Sequence, residues 1–536
     1  MGGYLEYFVN DVDSSNLVDG KPVYYWVNKH DSSVPFDAGY VALVNSTNIV
    51  VQNLTLTRNG QGLLLVYTEN ATIINNNITH NTEGILLSWS SKNTVIANNL
   101  AENNQTGISL YLSWNNNITA NNITRNDYGV SLFTSSKNML RSNSIANNTY
   151  NFKVIARAWM GLSDFVNDVD ASNTVDGKPI CYWINMRDLS VPLDVGYVGL
   201  INCTNITVKN LNLTKNNEGI LLAYTTNSII TRNNIANNGD GVQLYFSSKN
   251  GIFENNITYH EHDGIGLDSS SNNNITANNI VNNDCGIYLD ESSNNSILAN
   301  NITNNDGGIW LFKSSSNRLY HNSFLNNMNQ ARFFQSGYAN IWDDGYPSGG
   351  NYWSDYMEVD LHSGPFQNVI GSDGIGDTAL TIDEYNRDRY PLMAPISVFN
   401  AGTWNGASCN VDVVSNSTVS KFQLNITEKT IRFNVTGETG LGFCRVTIPN
   451  IIIQDMWHGN YTVLINDELW PFTNWTDTEN TYIYFTYQHS EHEITIIPEF
   501  PSATILPSLM ILTMLAVVFA KKKFPACPKR SKEVAE

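Results

Sequence analysis

Basic residues are scarce in this chain. Thirty Lys and Arg stand against 49 Asp and Glu, giving a formal charge of −19 and a pI near 4.8. A nucleic-acid binder needs a basic footprint, so that class is excluded. Proline is absent from 36–178 and from 193–346, as strands paired on both sides require. No useful helical periodicity occurs before residue 500, which excludes a helical bundle. The 9 histidines show no repeated spacing, and only 10 methionines are present. The first residues, Met1-Gly2-Gly3-Tyr4, offer no charged n-region and no apolar h-region, so no signal peptide is visible. The N-terminal signal is missing, and the expectation is a truncated gene model that begins inside a longer protein.

What is present is repetition. The segment Gly84-Ile-Leu-Leu-Ser-Trp-Ser-Ser-Lys-Asn93 returns down the chain with small changes. Its glycine recurs as Gly62, Gly84, Gly107 and Gly129, spaced 22, 23 and 22, and again as Gly219, Gly241, Gly264, Gly286 and Gly308, spaced 22, 23, 22 and 22. A larger period overlies this one: Phe8-Val-Asn-Asp-Val-Asp matches Phe165-Val-Asn-Asp-Val-Asp, an offset of 165 − 8 = 157. Of the sixty residues from Phe8 to Tyr67, 39 are identical in the second copy. Whole coils are duplicated, so the expectation is one continuous solenoid with Gly62 through Gly308 in a single column.

Within a coil the pattern is G-I-x-L, then S-x-x-N-x-I, then N-x-I-x-x-N, the two-residue period of short strands. Three strands per coil, with Ile, Leu or Val inward, stack on the next coil at ~4.8 Å. Each coil buries its inner face only against its neighbours, so many coils are needed. Asn76, Asn98, Asn121 and Asn143, then Asn233, Asn255, Asn278, Asn300 and Asn322, hold one place in successive coils. Asn tolerates the left-handed conformation of a sharp corner, and stacked amides form hydrogen-bonded ladders. The fold class is all-β: a right-handed parallel β-helix over residues 1–339, with tandem copies at 8–150 and 165–307. Cys181, Cys203 and Cys285 replace Tyr24, Ser46 and Tyr128 of the first copy and read as incidental.

These Asn/Gly coils resemble the parallel β-helix repeats shared by carbohydrate-binding proteins and sugar hydrolases, a pectin-lyase-like solenoid. The stretch Asn340-Ile-Trp-Asp-Asp-Gly-Tyr-Pro-Ser-Gly-Gly-Asn-Tyr-Trp-Ser-Asp-Tyr356 resembles the end of the NosD-like family, as do Gly371-Ser-Asp-Gly-Ile-Gly-Asp377 and Arg389-Tyr-Pro-Leu392. That resemblance covers roughly residues 8–393 and implies copper delivery. The residues do not add support, since copper favours imidazole or thioether ligands. Residues 340–395 read as a C-terminal cap in which Trp342, Tyr346, Tyr352, Trp353 and Tyr356 cover the solenoid end. Residues 396–497 alternate over longer runs, such as Tyr482-Ile-Tyr-Phe-Thr-Tyr, and predict a small β-sandwich stalk. Cys409 and Cys444 share that domain and are candidates for a disulfide in an oxidising compartment.

Residues 503–520 are mostly apolar and uncharged, and Lys521-Lys522-Lys523 follow at once. This predicts one transmembrane helix with a basic cytoplasmic tail at 521–536, placing the acidic body outside the cell membrane. Residues 1–520 carry 24 − 47 = −23. The ending, with Pro498-Glu-Phe-Pro501 before it, is similar to that of archaeal surface proteins. Dense Asn-x-Ser/Thr sequons fit a glycosylated exterior; those at Asn416, Asn425, Asn434, Asn460 and Asn474 lie outside the repeat.

No catalytic set is recognisable. The Gly-His-Gly and Arg-Ile-Lys segments of polygalacturonase-like enzymes are absent, and no arginine column accompanies the acidic residues. Two outward columns are expected. Four and five residues after the repeat glycine stand Tyr67, Trp89, Tyr111, Phe133, Tyr224 and Tyr245, with Phe246 and Phe312; aromatic faces suit sugar rings. Asp240, Asp263, Asp284 and Asp306 lie just before the glycine, and Asp268 and Asp290 four after it. Stacked carboxylates repel, and a calcium ion would relieve that cost. Asp373 and Asp377, flanking Gly-Ile-Gly, form a second candidate calcium site. The expected function is a membrane-anchored surface binding or structural protein with a polysaccharide or surface glycan as partner. The alternatives are a polysaccharide lyase or hydrolase with a divergent site, and NosD-like metal delivery.

Overall fold

A computed structural model describes residues 4–156, 161–335 and 337–499. The predicted span at 503–520 and the tail at 521–536 lie outside the described residues. Among those described, no helix is long and apolar enough to cross a membrane. The described residues divide into two compact units, with the boundary between Ile396 and Ser397.

The first unit is an all-β, right-handed-type solenoid of about 13 turns. One coil runs through Glu83–Ser88, Thr94–Ile96 and Asn99–Ala101, and each strand pairs in parallel with its counterpart one coil away. Ile85, Leu87, Val95 and Leu100 are fully buried. Burying such a side chain stabilises by roughly 1.5–3 kcal/mol, repeated in every coil. The repeat glycines are set by space and not by dihedral angle. A Cβ on Gly84 would fall 2.3 Å from the carbonyl oxygen of Gly107 in the next coil.

The buried asparagines form ladders. Asn98 Nδ2 donates to Asn121 Oδ1 at 3.0 Å and to Ile73 O at 3.0 Å, while its Oδ1 accepts from the Asn76 backbone and side chain. The corner conformation belongs to the preceding residue: Asn75, Ala97, Ala120 and Ser142 have φ of 52–55°. The left-handed role assigned to Asn76 and its equivalents is therefore corrected. They turn inward and satisfy corner backbone groups that would otherwise be buried without partners.

Both copies fall within the first unit, but the single glycine column does not hold. The first copy's third-strand sheet, Thr55–Thr57 through Ser144–Ala146, continues through Thr174–Val175 into the second copy's first-strand sheet, giving one 14-stranded sheet. The join between Thr174–Val175 and Lys178–Ile184 is antiparallel. The two copies consequently have separate cores. Val198, Leu200, Ile220 and Leu222 face the second core. Tyr197 and Leu221, on the other side of the same strands, and Tyr182 on Lys178–Ile184 close the end of the first. Duplication copied the coils but not their register across the junction, because a short reversing strand intervenes.

Each copy also covers part of its own outer face. The 3-10 turn Leu5–Phe8 packs on Ala42, Leu64 and Leu86, and the Tyr25 hydroxyl donates to Phe8 O. The turn Leu162–Phe165 repeats this arrangement, with Tyr182 donating to Phe165 O. At the far end, Trp342 and Trp353 join the second core, and Trp353 stacks on Phe324 at 4.5 Å. Asp388 accepts from Trp353 Nε1 at 2.9 Å and Asn351 N at 2.8 Å, and Asn386 Oδ1 accepts from Trp342 Nε1 at 3.0 Å.

The second unit has two five-stranded antiparallel sheets with a shared core. It also contains a helix, Asn450–Trp457, which sequence patterning missed. Three consecutive isoleucines read as strand, but burial at Ile452, Ile453, Met456 and Trp457 follows a helical face. Cys409 and Cys444 are free thiols, correcting the candidate disulfide; Cys444 hydrogen-bonds with Ser415 and Tyr487 instead.

Candidate functional site

The uncovered outer face of the second copy brings together acidic and aromatic side chains. It is carried by Asp263–Asp268, Cys285–Asp290, Gly307–Phe312 and Asn329–Phe333. Ile265 and Leu267 point into the core, so Gly266 and Asp268 alternate outward. Tyr288 and Asp290, then Trp310 and Phe312, repeat those outward positions in register.

This register corrects the two expected columns. Tyr245, Asp268, Asp290 and Phe312 form one column, with the two acids between the two aromatics. Asp240 and Asp263 each directly precede a repeat glycine. Asp263, however, pairs with Cys285 and then Gly307, so Asp284 and Asp306 sit one residue earlier, on the neighbouring turn. Tyr245 is buried against Phe165 at 5.4 Å and offers no ligand surface. Its expected role fails because the Leu162–Phe165 turn lies over it.

The other predicted aromatics form three pairs and not one platform. Tyr67 and Trp89 stack at 5.9 Å, Tyr111 and Phe133 at 5.2 Å, and Tyr224 on Phe246 at 4.9 Å. Tyr67, Trp89 and Tyr224 have left-handed backbones, one residue beyond the column of Tyr111 and Phe133. Asp373 and Asp377 hold turns of the cap. Asp373 Oδ1 accepts from Ile375 N, and Asp377 accepts from Leu361 N, His362 N and His362 Nδ1 at 2.7 Å.

The centre of the face is a column that sequence reasoning passed over: Gln243, Gly266, Tyr288, Trp310 and Arg332, two residues after the repeat glycine or its equivalent. Gly266 leaves room for the Gln243 carboxamide, and Gly307 for the Trp310 indole. Phe334 meets the Trp310 ring edge-on at 5.6 Å and Tyr288 at 6.5 Å. The Arg332 guanidinium lies 4.8 Å from the Phe334 ring. Counting positions four and five from the glycine found the rim; counting two would have found this column.

Electrostatically the face is strained. Burial first, then Asp240 and Asp284, push the Asp263 carboxyl well above its usual range. Burial raises Asp268. Burial, then Asp268 and Glu291, bring Asp290 to about 6. Asp290 Oδ1 and Trp310 Nε1 are buried atoms without a hydrogen-bond partner, a condition that most buried polar atoms avoid.

The same positions in the first copy, 157 residues earlier, show what the scaffold itself requires. Asp263, Asp268, Cys285 and Asp290 replace Thr106, Tyr111, Tyr128 and Phe133. The acidity belongs to the second copy's face and is no requirement of the coil.

A copper site needs converging imidazole, thiolate or thioether donors. Among the described residues, no group of three or more His, Cys, Asp or Glu is arranged to hold a metal ion. His260 is buried with both ring nitrogens against backbone carbonyls, His362 is bound to Asp377 and His80 to Glu102. The donor set does not fit copper.

The family model described as periplasmic copper-binding protein (NosD) matches residues 26–163 and 193–358, more than half of the chain. No curated protein matches. Among solved structures, the periplasmic alginate epimerase AlgG is similar, with 16% identity over 56% of this chain and 76% of that one, and a TM-score of 0.25. The A-module of Azotobacter vinelandii mannuronan C-5 epimerase AlgE6 matches with 13% identity over 56% and 77%, TM-score 0.24. Tailspike protein 2 of bacteriophage CBA120 matches with 9% identity over 86% and 69%, TM-score 0.25.

Proposed function

Taking as premise that the chain belongs to the NosD family, we propose that it is a surface-displayed binding protein whose second copy presents a glycan-binding face. One observation carries this reading: the half-buried Tyr288 and Trp310 rings stand in one column of the uncovered face, beside the half-buried carboxylates of Asp268 and Asp290. A sugar suits both. Its hydroxyls donate to the carboxylates, and its C–H face packs on aromatic rings. The face stands on paired strands with fully buried inner residues, so little ordering accompanies binding. Anchoring through 503–520 belongs to the same proposal, with the acidic body outside the cell. Copper delivery is not adopted, because the donors do not converge.

The test is affinity electrophoresis and calorimetry of the protein against a polysaccharide panel, with Tyr288→Ala and Trp310→Ala as controls. At least one polymer is expected to bind, and each substitution to weaken it tenfold or more. Failure of every polymer, or binding untouched by both substitutions, overturns the reading. A second reading, hydrolysis or lysis, is favoured by Asp290 near 6 in register beside Asp268, the pairing of roles that glycosidic cleavage uses. New reducing ends or unsaturated products from the bound polymer would establish it.

A further inference from the structure

Where the two copies meet, an open groove of about 670 Å³ runs between them. One wall is the end of the first copy at Thr149 and Tyr150. The other is the corner that follows the third strand in successive coils of the second copy. The Tyr150 hydroxyl ties the walls together, donating to Glu261 at 2.6 Å. We infer that this groove is a second ligand site, which takes a short neutral stretch of saccharide. It is separate from the Tyr288 face and does not rest on the reading given to that face.

The corner row carries the argument. Lys215, Asn237, Tyr259 and Asn282 hold one left-handed position in successive coils, with φ of 53–59°, so neighbours stand ~4.8 Å apart. Tyr259 is 60% exposed, and an asparagine amide lies one coil to either side of it. A pyranose needs this pattern: its C–H face packs on the ring, and its hydroxyls donate to and accept from the amides.

The coil itself does not ask for these residues. Their counterparts 157 residues earlier are Arg58, His80, Glu102 and Arg125. Ion pairs lace that row, joining His80 to Glu102 at 2.7 Å and Arg125 to Glu102 at 2.8 Å. The second-copy row forms no ion pair among the described residues, and Tyr259 stands at the place of the shared carboxylate.

Two further observations set the chemistry of the ligand. The lining holds one charge of each sign, Lys215 and Glu261, while burial lowers the His260 imidazole to about 4 and leaves it uncharged. The groove therefore has no net charge to favour an ionic ligand. Its corner backbone is already paired: Lys215 N donates to Asn237 O, Asn237 N to Thr258 O and Tyr259 N to Val281 O. A peptide finds no strand edge to extend there, so recognition falls to the ring and the amides.

The experiment titrates the full chain, with and without Tyr288→Ala, by calorimetry and saturation-transfer NMR. The probes are neutral trisaccharides of glucose, mannose and N-acetylglucosamine, a uronate trisaccharide and a panel of tripeptides. At least one neutral trisaccharide is expected to bind whether or not Tyr288 is present, and Tyr259→Ala to weaken it by about tenfold or more. A second variant, Asn237→His with Tyr259→Glu and Asn282→Arg, installs the row that the coil already accepts in the first copy. It should abolish this binding while keeping the unfolding midpoint. Failure of every neutral trisaccharide, tighter binding of the uronate or of tripeptides, or binding that survives the triple variant overturns the inference. Trisaccharide binding that Tyr288→Ala removes and the triple variant leaves untouched overturns it too, and supports the glycan reading of the other face. Polymer binding that neither set of substitutions weakens overturns both.

Discussion

The Tyr150 hydroxyl, on the last coil of the first copy, donates a hydrogen bond of 2.6 Å to the carboxylate of Glu261 in the second. It is the outer member of a polar cluster at the junction between the copies. The Tyr128 ring lies 5.4 Å from that of Tyr150, with Lys153 Nζ 4.6 Å above it. Beneath them Glu218 is fully buried, accepting from Asn217 Nδ2 at 2.6 Å and from Val154 N at 3.4 Å. The junction therefore depends on protonation as well as on apolar contact.

That dependence has a definite sign. Burial first, then Asp240, raise the Glu218 carboxyl from 4.5 to about 7. At low pH it is neutral in both states and costs nothing. As pH rises through 4.5 the unfolded chain releases the proton while the folded protein holds it until about 7, so stability falls across this window. A shift of this size corresponds to about 3 kcal/mol. Urea unfolding at pH 5 and pH 8 should show the loss, and Glu218→Gln should make it smaller, since Asp263 and Asp290 are raised as well. An unchanged pH dependence in that variant would contradict the assignment.

The asparagine ladders divide into buried and exposed rows, and the two should respond differently. Asn278 donates to Ile252 O at 2.8 Å and Asn300 Oδ1 at 3.0 Å, and accepts from Asn255. Replacing it with Ala leaves several buried groups unpaired and should cost about 2–3 kcal/mol or more. Its neighbour Asn279 makes a similar ladder bond, to Asn256 Oδ1 at 2.7 Å, on the exposed surface. Asn279→Ala should stay within about 0.5 kcal/mol, since water takes over the lost partner. Chemical denaturation of the pair checks the difference.

Gly84 tests the close approach of coils. An added Cβ would meet the Gly107 carbonyl at 2.3 Å and Leu100 Cδ2 at 3.0 Å, and a backbone atom cannot swing aside. Gly84→Ala should lower stability by about 1–3 kcal/mol, as overpacking does. At Gly60, where nothing lies within 4 Å, the same substitution should be close to neutral. Equal midpoints for the two variants would show that the coils yield.

What the sequence made legible follows from strict repetition. The 22-residue spacing exposes the strand pattern, the inward Ile and Leu, and the Asn rows, because each is dictated by neighbours one coil away. The reversing strand at Thr174–Val175 has only two residues and no counterpart in the coil pattern, so the change of core across the junction stays hidden. Tyr245 illustrates the limit for the site. In its own column it looks like any outward aromatic, yet Phe165, 80 positions earlier, covers it. Tyr288 and Trp310 lay in a regular column but did not stand out, because that column holds Gln, Gly, Tyr, Trp and Arg and has no shared chemistry to notice.

The covering turns give a last comparison between equivalent residues. Phe8 and Phe165 occupy matching positions in the two copies, and each accepts a tyrosine hydroxyl on its carbonyl. Phe165 is fully buried, packed on Tyr245 and part of the core cluster that joins the first copy's end to the second copy's outer face. Phe8 is half-buried, at the edge of a smaller cluster around Leu64 and Leu86. Truncating a fully buried Phe removes its transfer energy and leaves a cavity, about 3–5 kcal/mol together. A half-exposed one loses part of the first contribution and little of the second. Phe165→Ala should therefore cost about 3–5 kcal/mol, and Phe8→Ala about 1–2 kcal/mol. Phe165→Ala should also expose the Tyr245 phenol, which burial, then Glu218 and Asp240, hold far above its usual pKa. Ultraviolet titration should then find one more tyrosine ionising near pH 10, the ordinary value, while Phe8→Ala leaves the Tyr245 phenol unchanged. If both variants lose the same stability and titrate alike, the second turn is no more than a copy of the first and does not lock the junction.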